Sequence, residues 1–438
     1  MARVHRVGWD EKEDTRFAMA VEFPSMSFDH PGFAPGRIRI TDATFREGLQ
    51  AMAPISQAQA VAIFRLISRI GGEEGLISES DFFVHTSAQR ERLEACLDLG
   101  LAFPEISMWI RAAVEDIPLV RPYGAGRVSV VMPASDLQLA SKLGMTRREA
   151  TQLYLTVAGT LLALGFSVKC SLEDITRADI RGFVGPLVES LRRLGGSRVS
   201  FRLCDTLGLG LPMEGAGLQR SVPALVRCLV EEFGIPGEAL EWHGHNDFHM
   251  AVASSVAFLA AGGHKANGSF LGLGERSGIA PLEALVMQIF QMRGAADPGS
   301  MAAIMELRDF LKAELGVTLD RCYPVLGEEY LKVRSGIHAD GMAKHAGLYH
   351  PFDAEALLGA TVQPVITDIS GLAGLAAWLR ATGRQGPRYR GRTDGRLKAM
   401  KAEIDLAFAA GRTSEFSDAE LAALYDRHFM GGPFHAAG

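Results

Sequence analysis

Apolar residues recur along this chain with two different spacings, which alternate between about residue 37 and residue 295. The segment 37–42 is a short β-rich run, whereas 56–70 carries apolar residues at helical spacing behind Ser56, a typical helix N-cap. Further strand-like runs lie near 74–79, 104–110, 127–133, 166–171, 198–204, 238–243 and 266–271, with helical segments that include 146–164, 177–194, 221–233 and 248–262. Repeated strand–helix units predict a parallel sheet.

The number of these units decides between two architectures. Eight units in about 250 residues match a closed (β/α)8 TIM barrel. A doubly wound open sheet is the alternative, but no Gly-x-Gly-x-x-Gly follows the first strand. After residue 295 helical segments predominate, at 300–315, 353–359, 368–382, 394–411 and 417–428. We therefore predict an α/β chain with an N-terminal leader (1–36), a TIM barrel (37–295), a subdomain (296–365) and a helical C-terminal subdomain (366–438).

The composition narrows the classes of function. The chain has 438 residues, of which 47% are hydrophobic and 22% charged, and its net charge of −6 does not indicate nucleic-acid binding. The chain contains no run of about 18 uncharged apolar residues, so no membrane span is predicted. The five cysteines are scattered without a Cys-x-x-Cys pair, which argues against a disulfide framework and a structural zinc site. These features favour a cytoplasmic metabolic protein.

Two histidines separated by one residue are the first candidates for chemistry. His243 and His245 end the seventh predicted strand, and alternate residues of a strand point to the same side. Such pairs are more often structural than functional, but Glu47 follows the first predicted strand beside Arg46. The C-terminal ends of barrel strands form one mouth. One carboxylate and two imidazoles there predict a catalytic centre for Mg²⁺, Mn²⁺, Co²⁺ or Zn²⁺.

Four motifs in order carry a family resemblance. They are Asp42-x-Thr-x-Arg-Glu-Gly-x-Gln50, His243-Gly-His-Asn-Asp247, Gly272-Leu-Gly-Glu-Arg-Ser-Gly278 and Ser335-Gly-Ile-His338. Over about residues 37–360 the chain resembles the isopropylmalate/homocitrate synthase branch of the metal-dependent lyase-type TIM barrels, a group that also contains hydroxymethylglutaryl-CoA lyase. Through the stretches 173–179, 202–208, 220–223 and 242–249 it is similar to Re-type citrate synthases, with phosphonomethylmalate and phosphinomethylmalate synthases as related possibilities.

The resemblance implies an acyltransferase that joins acetyl-CoA to a 2-oxo acid by Claisen condensation and thioester hydrolysis. The metal held by Glu47, His243 and His245 would bind the carboxylate and keto oxygens of the 2-oxo acid. Arg46 would stabilise the negative charge that develops on oxygen.

The resemblance also implies an acid/base group made of Glu173, His338 and Tyr349. Histidine is suited to be the base because its ordinary pKa lies nearest neutrality. In the family this histidine comes from the partner subunit, so a homodimer with His338 donated in trans is implied. On sequence alone, His338 in its polar, glycine-containing loop is more typical of a surface residue.

Further residues are implied to face the substrates. Those for the 2-oxo acid are Gln50, Ser171 and Thr206, and those of the CoA-side loop are Gly272, Gly274 and Glu275. Lys169 stands where homocitrate synthases carry an arginine for the distal acid of 2-oxoglutarate, and Arg111 is a second candidate for such a contact. A cation there predicts a short 2-oxo diacid, either oxaloacetate or a phosphorus analogue such as 3-phosphonopyruvate or phosphinopyruvate.

Three other interpretations remain open at this point. The first is homocitrate synthesis from 2-oxoglutarate. The second is a carbon–carbon lyase of the hydroxymethylglutaryl-CoA type, which relies on a cysteine in the loop after the eighth strand; residues 271–281 contain none. The third is a non-catalytic barrel, which the full set of candidate residues argues against.

Overall fold

The computed structural model describes residues 23–28, 33–386 and 389–430. The chain divides into two compact units. Of the described residues, the barrel unit comprises 25–28, 33–330 and 357–359, and the second unit comprises 23–24, 331–356, 360–386 and 389–430. The leader predicted over 1–36 lies largely outside the described residues.

Eight parallel strands form the centre of the barrel unit. They are β1 (Arg39–Asp42), β2 (Ile77–Phe83), β3 (Glu105–Arg111), β4 (Arg127–Pro133), β5 (Ser167–Glu173), β6 (Val199–Asp205), β7 (Leu240–Gly244) and β8 (Lys265–Gly268). Strand β1 pairs in parallel with both β2 and β8, so the sheet closes on itself. The predicted TIM barrel is confirmed, and the open doubly wound sheet is excluded.

Helices of this unit follow the strands and cover the outside of the barrel. They are α1 (Gln57–Gly71), α2 (Ser87–Leu97), α3 (Ile117–Val120), α4 (Asp136–Gln138), α5 (Arg147–Ala163), α6 (Gly185–Gly195), α7 (Val222–Arg227), α8 (Ala251–Ala260), α9 (Leu282–Arg293) and α10 (Pro298–Leu315). The predicted cap of α1 is confirmed, because the Ser56 side chain accepts a hydrogen bond from the Gln59 N–H and the Gln59 side chain accepts one from the Ser56 N–H.

The second strand–helix unit differs from its prediction. The run expected near 74–79 is β2 at residues 77–83, because Gly72 and Gly75 continue the turn after α1 with φ angles of +62° and +64°. Helix α2 lies where the strand–helix alternation requires a helix between the second and third strands, but no bounds were predicted for it. Its buried residues are Leu93 and Cys96, so its sequence lacks the apolar stripe that reveals a helix.

Charged and polar side chains fill the interior of the barrel, while apolar side chains of the strands face the helices. Lys169 of β5 forms ion pairs with Glu79 of β2 and Glu241 of β7. These strands are not neighbours, so the contacts cross the interior. Barrels of this fold are usually filled with branched apolar residues, and here ion pairs take their place.

The interior ion pairs form a connected network of buried groups. The Lys169 ammonium lies 2.5 Å from a Glu79 carboxylate oxygen and 2.8 Å from one of Glu241. Arg202 contacts Glu241 and lies 2.6 Å from an Asp81 oxygen. Burial acts to raise the pKa of Glu241, but Arg202 and Lys169 lower it from 4.5 to about 2. The ionised carboxylate therefore adds stability above pH 4.5, and that contribution is lost as the pH falls towards 2.

The chain beyond residue 330 contains two short strands and five helices among its described residues. They are β9 (Lys332–Val333), β10 (Gln363–Pro364), α11 (Gly336–Lys344), α12 (Ala354–Leu358), α13 (Leu372–Ala381), α14 (Gly395–Ala409) and α15 (Asp418–Tyr425). An apolar cluster around Trp378 joins α13, α14 and α15, and the Trp378 indole N–H donates to Asp418 at 2.8 Å. Across the described ranges, no helix has the length and hydrophobicity that crossing a membrane requires.

Helix α11 corrects one expectation from the sequence. The glycine-containing stretch that carries His338 was expected as a polar loop, but it is helical from Gly336. A Cβ atom at Gly341 would lie 2.5 Å from the Tyr349 ring, so glycine allows that ring to lie against the helix. The glycines serve close packing rather than a loop, and for this reason the loop prediction is wrong.

Loss of the Lys169 charge is expected to destabilise the barrel strongly. The substitution Lys169→Met leaves Glu79 and Glu241 without their shared cation and should lower the free energy of unfolding by about 3–5 kcal/mol, measured by urea denaturation. Lys142→Met is the matched control, because Lys142 pairs with Glu173 at a half-exposed position and its loss should cost under about 1 kcal/mol. Equal effects of the two substitutions would contradict the structural importance of the network.

Candidate metal centre and active site

Three potential metal ligands meet at the C-terminal mouth of the barrel. Glu47 lies in the turn after β1, His243 lies in β7, and His245 follows that strand directly. One ligand atom from each side chain lies within 4.8 Å of the other two, and all three residues are buried. Strand β8 pairs with both β1 and β7, which explains why residues about 200 positions apart in sequence share one site.

A hydrogen-bond chain orients the imidazole of His243. Its Nδ1 atom lies 2.6 Å from the side-chain oxygen of Asn267. The Asn267 amide group donates to the Thr41 hydroxyl at 2.8 Å and to the Thr41 carbonyl at 3.1 Å. The amide oxygen therefore faces His243, so Nδ1 carries the proton and Nε2 is left with its lone pair for a metal.

His245 is held by its backbone, and its ring lacks a full set of partners. The backbone N–H of His245 donates a hydrogen bond to the backbone carbonyl of Asp205 at 3.1 Å. Its Nε2 atom lies 4.0 Å from a Glu47 oxygen, and its buried Nδ1 atom finds no hydrogen-bond partner among the described residues. Buried polar atoms are nearly always satisfied, so this ring fits a site that is completed by a further group.

The protonation states of the three side chains suit a cation. Burial lowers the pKa of His243 to about 3 and also lowers the pKa of His245. Burial acts to raise the pKa of Glu47, but Arg46 and the two histidines lower it below its ordinary value. A carboxylate and two neutral imidazoles are the forms that bind divalent metals. The residues present therefore fit the predicted divalent ion.

Arg46 is fixed beside the metal ligands by two kinds of contact. Its guanidinium forms an ion pair with Glu47. The same group lies 4.8 Å from the centre of the Trp109 ring and 5.8 Å from that of Phe83, at distances where cations and aromatic rings attract each other. A cation is thus held rigidly at the mouth of the barrel.

The loop after β8 packs directly against the carboxylate of Glu47. The Glu275 N–H donates to a Glu47 oxygen at 3.3 Å. A Cβ atom at Gly274 would lie 2.8 Å from the Glu47 side chain, and one at Gly278 would lie 1.8 Å from the Gly272 carbonyl. The glycines predicted for a CoA-side loop therefore allow this loop to support the metal carboxylate.

A pocket of about 200 Å³ adjoins the candidate metal centre. Its lining includes Arg46, Trp109, Val131, Lys142, Ser171, Glu173, Arg202, Cys204, Thr206, His243 and His245. The structure thus brings together six of the predicted site residues: Arg46, Ser171, Glu173, Thr206, His243 and His245. The Thr206 hydroxyl also accepts a hydrogen bond from the Asp174 N–H at 2.8 Å, which ties the ends of β5 and β6 together.

Three residues predicted to contact substrate lie elsewhere in the barrel unit. Gln50 is exposed and donates to the Arg46 carbonyl at 3.2 Å. Arg111 forms two hydrogen bonds with Asp116, at 2.6 and 2.9 Å. Lys169 lies between Glu79 and Glu241, below the pocket, and is not among its described lining residues. Lys169 is oriented towards two carboxylates of the protein, so the predicted contact with a substrate acid does not match its position.

Sequence reasoning missed three residues of the site. Arg202, on β6, is 2% exposed and lines the pocket. Asn267 orients His243, and Lys142 forms an ion pair of 2.6 Å with Glu173 at the rim. A signal existed for Arg202, because an arginine in the middle of an apolar strand requires a buried partner. Local sequence carried no comparable signal for the other two.

His338 and Tyr349 belong to the second unit. Their ring centres are 4.2 Å apart, and both side chains are exposed on that unit. Two of the three members of the predicted acid/base group are therefore adjacent, while Glu173 lies in the barrel unit at the end of β5.

Fold and site together define a (β/α)8 protein with a candidate divalent-metal centre at its mouth. The HMGL-like family profile matches residues 37–311. Citrate (Re)-synthase of Clostridium kluyveri is 37% identical over 93% of this chain and 91% of that protein. The 2-phosphinomethylmalate synthase of Streptomyces hygroscopicus is 31% identical over 93% of this chain and 94% of that protein. The chain belongs to the HMGL-like family.

Other relatives agree with this assignment. Homocitrate synthase 1 of Nostoc is 31% identical over 73% of this chain and 80% of that protein. Hydroxymethylglutaryl-CoA lyase from Pseudomonas aeruginosa superimposes with a TM-score of 0.52 and 17% identity over 66% of this chain and 95% of that one, which supports the fold. The predicted resemblance is confirmed, as is the predicted enzyme class, an acyl-CoA:2-oxo-acid C-acyltransferase.

The hydrogen bond from Asn267 to His243 is expected to govern metal affinity. The substitution Asn267→Leu keeps the approximate volume of the side chain but removes the acceptor for Nδ1–H, and should weaken binding of Mn²⁺ or Zn²⁺ by about 10- to 100-fold. Competition with a chelator measures this affinity. Thr41→Val is the control, because it leaves the acceptor in place and should have a smaller effect. Unchanged affinity in Asn267→Leu would contradict the proposed orientation of His243.

Proposed function

We propose that this enzyme condenses acetyl-CoA with a short 2-oxo diacid, namely oxaloacetate or a phosphorus analogue such as 3-phosphonopyruvate or phosphinopyruvate. A carbon–carbon bond forms between the acetyl methyl carbon and the keto carbon, and water then cleaves the thioester to release CoA. The observation that carries the proposal is the cluster of Glu47, His243 and His245, which opens beside Arg46 onto a small polar pocket. Similarity to citrate (Re)-synthase and 2-phosphinomethylmalate synthase supports the choice of diacid.

Glu47, His243 and His245 would hold the divalent ion, and this donor set suits Mg²⁺, Mn²⁺, Co²⁺ or Zn²⁺. When bound, such an ion supplies Lewis-acid polarisation of a carbonyl group. Arg46 provides a positive charge beside the oxygen on which negative charge develops, and its ion pair and ring contacts keep it in position before the reaction.

Further residues of the mouth would position the two substrates. We assign the hydroxyl groups of Ser171 and Thr206, which line the pocket, to the 2-oxo acid. We assign the loop with Gly272, Gly274 and Glu275, which packs against Glu47, to acetyl-CoA, and the exposed Gln50, outside the described pocket lining, to substrate binding. Glycine permits close approach of a ligand to the backbone.

Proton transfer from the acetyl methyl group is assigned to Glu173, His338 and Tyr349. The imidazole of His338 is the base, and Tyr349, whose ring lies against it, orients it. We propose that His338 acts in the active site of a partner subunit, so that the enzyme is a homodimer, and that this homodimer is cytoplasmic. The exposure of both rings on the second unit supports donation to another chain.

Homocitrate synthesis from 2-oxoglutarate is the second candidate. It is favoured by the similarity to homocitrate synthase 1 of Nostoc, and its substrate is one carbon longer than oxaloacetate.

A panel of 2-oxo acids tests the proposed reaction. The purified enzyme with Mn²⁺ and acetyl-CoA should release CoA, detected with dithionitrobenzoate, in the presence of oxaloacetate or a phosphorus analogue, with product identity checked by mass. We expect kcat/KM for 2-oxoisovalerate to be at least about 100-fold lower, because its branched apolar end would face buried charge. Arg46→Gln is the matched control and should lower turnover by about 100-fold or more. Activity with 2-oxoisovalerate alone would exclude the proposed substrate class.

Mixed dimers test donation of His338 in trans. The variants His338→Ala and Glu47→Ala should each be inactive alone, and after mixing and exchange of subunits activity should return to about a quarter of the wild-type level, because half of the dimers then contain one intact site. A mixture of Glu47→Ala with His243→Ala is the control, since both lesions remove a proposed metal ligand from the barrel and no mixed dimer contains an intact site. Failure of the first mixture to recover would assign His338 to its own chain.

A further inference from the structure

We propose that Arg202, rather than Lys169, is the residue that binds the second acidic group of the 2-oxo diacid; this inference rests on the proposed function. Arg202 is a buried cation that lines the pocket beside the candidate metal centre. Lys169 is equally buried, but both of its ion pairs are to carboxylates of the protein. The selectivity for a diacid therefore depends on β6 and not on β5.

Strand register places Arg202 at the right depth for this contact. On β7, Glu241 is the register partner of Arg202, and His243 is that of Cys204. The Cα atom of Arg202 therefore lies one inward-facing layer below that of His243, which corresponds to about 6.6 Å along the strand direction. A four-carbon acid bound at the metal through one end has its other carboxylate three carbon–carbon bonds of about 1.5 Å away. The second carboxylate of the bound acid therefore reaches towards the pocket floor, and the arginine side chain is long enough to place its guanidinium beside that carboxylate.

The guanidinium retains donors for a ligand. Its Nε atom contacts Glu241, and one of its terminal nitrogens lies 2.6 Å from Asp81. Its buried Nη2 atom, although close to Asp81, makes no hydrogen bond within the residues that the structure describes, and no hydrogen bond of Nη1 is found there. Arginine has five N–H donors, so a carboxylate or phosphinate group in the pocket can be bound without breaking either existing contact.

The interior ion pairs hold this arginine in one orientation. Asp81 and Glu241 approach it from β2 and β7, and Glu241 is itself held by Lys169 and by the Thr41 hydroxyl at 2.9 Å. A fixed planar cation distinguishes an acidic group from a methyl group, because an apolar end leaves the buried donors unpaired. The network thus gives Lys169 an indirect role at the pocket, because it holds Glu241, which in turn holds Arg202.

The test compares oxaloacetate with pyruvate, which lacks the second carboxylate. The wild-type enzyme should prefer oxaloacetate in kcat/KM by at least about 100-fold. Arg202→Lys keeps the charge but loses the fork, and Arg202→Gln loses the charge; each should lower kcat/KM for oxaloacetate by about 100-fold while that for pyruvate changes by less than about threefold. Melting temperatures check that both variants are folded.

Arg127→Lys is the matched control. Arg127 pairs with the buried Glu79 and with the exposed Glu105, and it does not line this pocket among the described residues. Its substitution should leave the preference for oxaloacetate unchanged. Equal losses with both substrates in the Arg202 variants, or an unchanged preference, would overturn the role of Arg202 and leave the proposed reaction standing. If the wild-type enzyme used oxaloacetate and pyruvate equally well, the role of Arg202 in selecting a diacid would be overturned before any variant is measured. If none of the panel acids led to CoA release, the proposed function and this inference would both be overturned.

Discussion

The structure depends on the balance of charge inside the barrel. A closed parallel barrel removes its interior from water, and here the interior contains lysine, arginine, aspartate and glutamate side chains instead of branched apolar ones. Each of these charges is tolerable only because another neutralises it, as Lys169 does for Glu79 and Glu241. The same ion pairs prevent Arg202 from moving, so the stability of the barrel and the shape of the pocket floor have one physical origin.

Above this network, the order of the strands assembles the candidate metal centre. Strand β8 separates β1 from β7 and contributes Asn267, whose amide oxygen orients His243 towards the site. The loop that follows β8 approaches Glu47 closely because glycine stands at position 274. One strand thus fixes the direction of a histidine ligand and the position of the carboxylate ligand. The geometry of the metal centre is consequently a property of the closed barrel and not of any local segment.

Several features were predictable because their signal is local or repeated. The alternation of strand and helix spacing predicted the (β/α)8 barrel, and the positions of Glu47, His243 and His245 after predicted strands placed them at one mouth. The helix that carries His338 was missed because glycine and polar residues disguise its periodicity. The bounds of helix α2 were not predicted for a related reason, since little of it is buried.

Periodicity, and motifs that lie on consecutive elements, are enough to predict the class of barrel, the candidate metal ligands and the family. The identity of the cation that serves the pocket, in contrast, follows only from the closed barrel. Lys169 and Arg202 are both basic residues in apolar strands, and no local pattern distinguishes a cation paired with the protein from one that also faces a cavity. That difference arises from the register between strands and from carboxylates on β2 and β7, which are brought near only when the barrel closes.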